Sequence, residues 1–102
     1  MPDVDKEGFL RNLADWNEGV AELLAAREGI ALGERHWAVI RMLRAFYART
    51  GVAPAMRPLV KLARDSLGPE CGSSIYLLGL FPGNPAKVAA KIAGLPRPTN
   101  CL

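Results

Sequence analysis

The sequence predicts an all-α protein, a compact helical bundle with room for a minor N-terminal β element and with an extended C-terminal arm. Three observations predict it. Apolar residues recur at helical spacing in successive segments between residues 16 and 92. Glycine and proline fall between those segments or in their first turn. No stretch alternates apolar and polar residues as a strand would, apart from a short extended piece before Phe9. A chain of 102 residues has room for one domain with one core.

The elements follow in order. Asp15 and Glu18 have the spacing of a capping box, with Asp in place of Ser or Thr. Val20, Leu23 and Leu24 continue as an apolar stripe to Gly29, so the first helix covers about residues 16–28. The second covers residues 34–49, with Trp37, Ile40, Leu43 and Tyr47 on one face, Arg41, Arg44 and Arg49 among the polar positions, and Gly51 closing it. Pro54 disfavours helix at Ala53 and makes a turn there. The third helix covers residues 56–67, tolerating Pro58 only in its first turn, and Gly68-Pro69 stops it. Ser73 or Ser74 caps a short apolar helix through Leu80, which Phe81-Pro82-Gly83 breaks. Pro85 starts a last helix through Ile92, ended by Gly94. Pro96 and Pro98 then forbid helix and strand pairing alike, which divides the chain into a helical domain, residues 1–94, and a flexible arm, residues 95–102. The second and third helices and their short turn have the form of a helix-turn-helix.

Composition narrows the function classes. No apolar run approaches the ~18 residues that span a bilayer, and the acidic start Met1-Pro2-Asp3-Val4-Asp5 is not a secretory signal, so a cytoplasmic location is expected. The net charge of +3 is unevenly spread: residues 1–34 hold three Lys/Arg against eight Asp/Glu, whereas residues 35–102 hold ten against two. The later helices should present a basic surface, either to an anionic partner such as nucleic acid or an acidic protein, or simply to solvent. Two cysteines in a cytoplasmic chain do not argue for a structural disulfide, and a single His36 without a CxxC pair does not make a zinc site. No carboxylate pair or glycine-rich phosphate loop is recognisable, so neither self-contained enzyme chemistry nor a resident cofactor is expected.

Among single residues, Cys101 is the sharpest feature. It lies one residue from the chain end and after two prolines, where no core can form, so its thiol should be accessible enough for group transfer; the bland alternative is an incidental terminal cysteine. Arg97 would favour the thiolate and the terminal carboxylate would oppose it, leaving activation to a partner's pocket. Cys71, in a loop before a helix, is either a secondary thiol or an unreactive loop residue. His36 suits packing or capping better than catalysis. Arg57, Lys61 and Arg64 would lie on a recognition helix if the corner bound DNA, although that helix offers no Asn or Gln to read bases.

The runs His36-Trp37-Ala38-Val39-Ile40 to Arg44, Pro54-Ala55-Met56-Arg57-Pro58-Leu59-Val60-Lys61, Leu80-Phe81-Pro82 with Pro85-Ala86-Lys87, and the ending Lys91-Ile92-Ala93-Gly94-Leu95-Pro96-Arg97-Pro98-Thr99-Asn100-Cys101-Leu102 resemble the DsrC/TusE family, as do Glu7-Gly8-Phe9-Leu10 and Asp15-Trp16. The resemblance implies a helical fold with a flexible C-terminal arm and a persulfide-carrying penultimate cysteine, here Cys101. On the residues themselves, Arg97 and the prolines are expected to shape the arm, and Arg57 and Lys61 to form a basic surface where the arm or a partner docks. TusE-like members pass sulfur from an upstream sulfurtransferase complex to a tRNA thiouridylase that 2-thiolates the wobble uridine. DsrC-like members serve dissimilatory sulfite reductase and carry a second arm cysteine at the position that is Ala90 here, which favours the TusE-like role. The sequence departs from the family's Gly-Asn-Ser-Arg-Tyr-Leu-Tyr stretch at Gly72-Ser73-Ser74-Ile75-Tyr76-Leu77-Leu78, and Val88 stands where a polar residue is usual.

Overall fold

The computed structural model describes residues 2–98. Five α-helices follow in order: α1, Glu18–Arg27; α2, Glu34–Thr50; α3, Met56–Leu67; α4, Ser74–Leu80; and α5, Pro85–Ile92, with short 3-10 turns at Leu13–Asp15 and Pro69–Cys71. The all-α fold expected from the periodicity is the fold observed. Among the described residues no strand forms, and the extended piece before Phe9 is a single antiparallel bridge between Val4 and Leu10.

Proline and glycine set the boundaries of α3 and α5 where they were expected. Ser73, rather than Ser74, caps α4 by accepting from the Tyr76 amide. Gly51 ends α2 in the left-handed region at φ 74°. The start of α1 differs from the expectation. Asn17, not Asp15, is its cap, its side-chain oxygen accepting from the Val20 amide at 2.9 Å. Asp15 is instead in the preceding 3-10 turn. The stripe of α1 also differs: Ala21, Leu24 and Ala25 are buried, while Leu23 is 47% exposed. These three follow the i, i+3, i+4 spacing of one helical face, and Leu23 falls beside that face rather than on it.

The most informative element is α5. All its residues except Lys87 are buried, and it packs against α1, α2, α3 and α4. Its alanines, Ala86, Ala89 and Ala90, let the other helices approach closely, and the large side chains of the core come from those helices: Leu24, Ile40, Leu43, Leu59, Leu77 and Phe81. The last helix in sequence is therefore the central one in space, and the C-terminal segment leaves from the middle of the bundle. No helix of the described residues is long and apolar enough to cross a membrane.

Candidate functional site: the root of the C-terminal arm

Cys101, the residue singled out by the sequence, lies outside the described residues. What the structure gives is the segment that leads to it. At the end of α5, the Gly94 amide donates to the Lys91 carbonyl at 3.1 Å and the Leu95 amide to the Ala90 carbonyl at 2.9 Å, the paired bonds of a Schellman cap. Gly94 supplies the left-handed φ of 74° that this cap requires, and a Cβ there would overlap the Trp16 side chain. Trp16 lies against this turn because its Nε1–H donates to the Ile92 carbonyl at 2.9 Å. Arg44 stacks over the Trp16 ring at 3.7 Å and donates to the Ala93 carbonyl at 2.7 Å. Burial pulls the Arg44 guanidinium below its ordinary pKa, yet an arginine so shifted stays charged at neutral pH. Two of the three carbonyls from Ile92 to Gly94 are thus held by side chains from other elements, and the departure angle of the chain is set.

The next four residues lie against the body. Leu95 is buried in the core and Pro98 is buried as well. Between them Arg97 pairs with two carboxylates of the N-terminal turn: its Nη2 is 3.0 Å from Asp5 Oδ2, and both Nη2 and Nε reach Glu7 Oε1. Its guanidinium also lies 4.7 Å from the centre of the Phe9 ring. Lys87 of α5 holds Glu7 from the other side at 2.6 Å. Hydrogen bonding from Lys87 and then from Arg97 holds the Glu7 carboxyl below its usual range. For Asp5, desolvation pushes upward, but the amides of Phe9 and Glu7, and then Arg97, prevail and hold it low. The hydrogen bond to Glu7 raises the Arg97 guanidinium further above its ordinary value.

The turn that presents these carboxylates is itself well determined. Asp5 Oδ1 accepts from the Glu7 and Phe9 amides at 2.9 and 3.1 Å, and Gly8 takes a φ of 95° to let the chain return. Phe9 and Leu10 then enter the core. Beside Arg97 is a groove of about 370 Å³ lined by Glu7, Ala55, Met56, Ala86, Lys87 and Pro98 among others.

The remaining predicted residues are elsewhere. Arg57 and Lys61 are exposed on α3, where Lys61 pairs with Asp65 at 3.2 Å. Neither has an interaction with Arg97 among those described. Arg64 donates to the Gly72 carbonyl at 3.1 Å, so the basic row of the helix-turn-helix corner keeps only Arg57 and Lys61 for an outside partner. Cys71 is half-buried, its Sγ 3.7 Å from the Leu67 carbonyl, and its hydrogen bond with Tyr76 raises the pKa of the tyrosine. His36 has the capping and packing role expected of it: Nδ1 accepts from the Gly33 amide at 3.1 Å, Nε2 faces the Leu80 carbonyl at 2.9 Å, and the ring meets Phe81 edge-on. With those partners the proton belongs on Nε2. No group of three or more His, Cys, Asp or Glu able to hold a metal ion is found among the described residues.

Sequence reasoning missed Asp5, Glu7, Phe9 and Lys87 as the receptor of Arg97, and Trp16 and Arg44 as the lock on α5. The one available signal was the charge asymmetry. Part of the basic excess read as a surface for outside partners is engaged internally, with Lys87, Lys91 and Arg97 each paired to a carboxylate of residues 1–34.

Comparison with known proteins gives a consistent answer. The family model described as "DsrC like protein" matches residues 1–102 and so takes in Cys101. The sulfurtransferase TusE of Yersinia pseudotuberculosis is 51% identical over 100 residues, covering 98% of this chain and 93% of that protein. The TusE of Sodalis glossinidius is 52% identical over 99 residues, covering 97% of this chain and 92% of its own. Among solved structures, DsrC of Allochromatium vinosum superposes with a TM-score of 0.88 at 48% identity, over 97% of this chain and 88% of that one. The oxidised gamma-subunit of dissimilatory sulfite reductase from Archaeoglobus fulgidus gives 0.85 at 43% identity, over 99% and 92%. On sequence and fold together, the chain belongs to the DsrC-like family.

Proposed function

We propose that this protein is a sulfur-relay carrier that holds sulfane sulfur as a persulfide on Cys101. The observation that carries the reading is the likeness to proteins named sulfurtransferase TusE across nearly the whole chain. The chemistry needs only a thiolate that can travel. Cys101 thiolate attacks the outer sulfur of a donor persulfide, a new S–S bond forms at Cys101, the donor's S–S bond breaks, and the donor leaves as a thiolate; delivery to an acceptor reverses the roles. Arg97 is bound to Asp5 and Glu7, so its charge is largely compensated and it acts as an anchor for the arm rather than as an activator of the thiol. Activation then comes from the partner's pocket, which also keeps the free carrier from reacting at random.

The pathway we favour is TusE-like: an upstream sulfurtransferase complex loads Cys101 and a tRNA thiouridylase receives the sulfur for 2-thiolation of the wobble uridine. Ala90 supports this choice, since it occupies the position of the second arm cysteine in DsrC-like members and is only 1% exposed within α5. Service to a dissimilatory sulfite reductase is the second reading, favoured by the likeness to the gamma-subunit structure. Arg57 and Lys61, exposed on α3, are the basic residues offered to either partner.

The test is intact-mass analysis after incubation with a cysteine desulfurase system. The wild-type protein gains increments of about 32 Da that a thiol reductant removes. Cys101→Ser gains none, and Cys71→Ser gains as much as wild type. Sulfur uptake undiminished in Cys101→Ser overturns the assignment.

A further inference from the structure

Two connected grooves follow α2. One, of about 340 Å³, has an apolar lining of Ala38, Met42 and Ala45 from α2 and Leu62 and Leu67 from α3. Arg41 and Arg49, both exposed, also line it, and neither has a carboxylate partner among the described residues. The other, of about 570 Å³, shares Ala38 and Leu67 with the first and adds Arg35, Cys71 and Tyr76. From Arg35 to Arg49 the two follow α2 for fourteen residues, roughly 21 Å of helix. We infer that this channel is a docking groove for an acidic amphipathic helix of a partner protein.

Charge and lining choose the occupant. Nearby acids are few: Asp65 is paired with Lys61 at 3.2 Å, and Glu34 and Glu70 line the channel only at its Arg35 end. The unbalanced positive charge is therefore toward Arg49, and the more acidic end of the incoming helix belongs there. The two arginines are held on rings of their own helix, Arg41 at 5.7 Å from the centre of the Trp37 ring and Arg49 at 5.6 Å from that of Phe46. Rings so occupied do not offer themselves to the bases of a single strand. A nucleic-acid backbone seeks cations along a polar track and gains nothing from an aliphatic lining. About four turns of helix, by contrast, can lay leucines against Ala45 and Leu62 and carboxylates against the arginines.

The probe is a peptide of about 18 residues, alanine and glutamate with leucine at every third or fourth position, titrated into the full-length protein and followed by amide NMR. Shifts should centre on Ala38, Met42, Ala45, Leu62 and Ser66, and affinity should fall with added salt. Arg41→Gln combined with Arg49→Gln should weaken binding about fivefold. Lys6→Gln combined with Arg27→Gln removes the same charge from exposed positions elsewhere and should weaken it by less than about 1.5-fold. Ala45→Glu puts a carboxylate into the groove and should weaken it by at least about tenfold. All these substitutions are at exposed positions, so melting temperatures should stay within about 3 °C of wild type. A peptide of the same composition with its leucines scattered around the helix should bind at least about fivefold more weakly. Absence of binding, equal binding of the two peptides, shifts centred outside the groove, or equal losses in the two double variants would overturn the inference. A duplex RNA that binds this face more tightly than the peptide would overturn it in favour of nucleic acid. The readout is binding alone and does not depend on sulfur loading of Cys101.

Discussion

The segment leading to Cys101 is held at two places by two kinds of chemistry. At Ile92–Gly94 the hold is steric and buried: an indole fits where only glycine leaves space, and two side-chain donors reach backbone carbonyls. At Arg97 it is electrostatic and wet, with a cation between two carboxylates in reach of solvent. The first must be remade with the fold and does not respond to surroundings. The second responds to salt, acid and competing charge.

The largest effect should come from breaking the steric hold. Trp16→Ala removes the indole from beneath Arg44 and leaves the Ile92 carbonyl without its donor, which should destabilise the fold by about 3 kcal/mol in urea unfolding. Gly94→Ala should cost about 2 kcal/mol, from the left-handed φ of 74° and from overlap with Trp16. The two substitutions should be less than additive, because the overlap vanishes once the indole is gone; strict additivity would show that Gly94 is needed for its backbone alone.

Acid should produce the smallest effect, confined to the electrostatic hold. Asp5 and Glu7 have their pKa values lowered, so their contribution is fully present above the ordinary carboxylate value of about 4 and disappears only as pH falls below it. The charged groups around them are Arg97, Lys87 and, across Phe9, Lys91 with its partner Glu28; the cations remain protonated through this range. The Arg97 Nε–H resonance should therefore keep its bonded position from pH 7 to pH 5 and move toward that of a free arginine below about pH 4. A transition near neutrality would contradict the assignment of these carboxylates.

How much of this was legible in the sequence depends on the distance over which each signal acts. Pro54, Pro58 and Pro85 mark helix starts and Gly51, Gly68 and Gly94 mark ends through their own backbone chemistry, so α3 and α5 were readable to the residue. The start of α1 was misread because Asp15 and Asn17 both have capping side chains, and the choice depended on Trp16 reaching Ile92 across 76 residues. Leu23 was assigned to the buried stripe because size outweighed alanine in the reading, whereas the buried face of α1 is made by Ala21, Leu24 and Ala25. The central place of α5 was signalled only by its run of small residues. The pairing of Arg97 with Glu7 spans 90 residues and follows no periodicity. Its trace in the sequence was an acidic first third set against a basic remainder, which was read outward to a partner and is in part satisfied inward.

The antiparallel turn that brings Asp5 within 3.0 Å of Arg97 also places the beginning of the described chain next to the departing arm. A purification tag or reporter domain fused ahead of Pro2 would therefore crowd the face on which Arg97 is held. The exposed bend at Gly51–Val52, between α2 and α3, is not among the residues that line the groove beside Arg97 and offers an alternative insertion site.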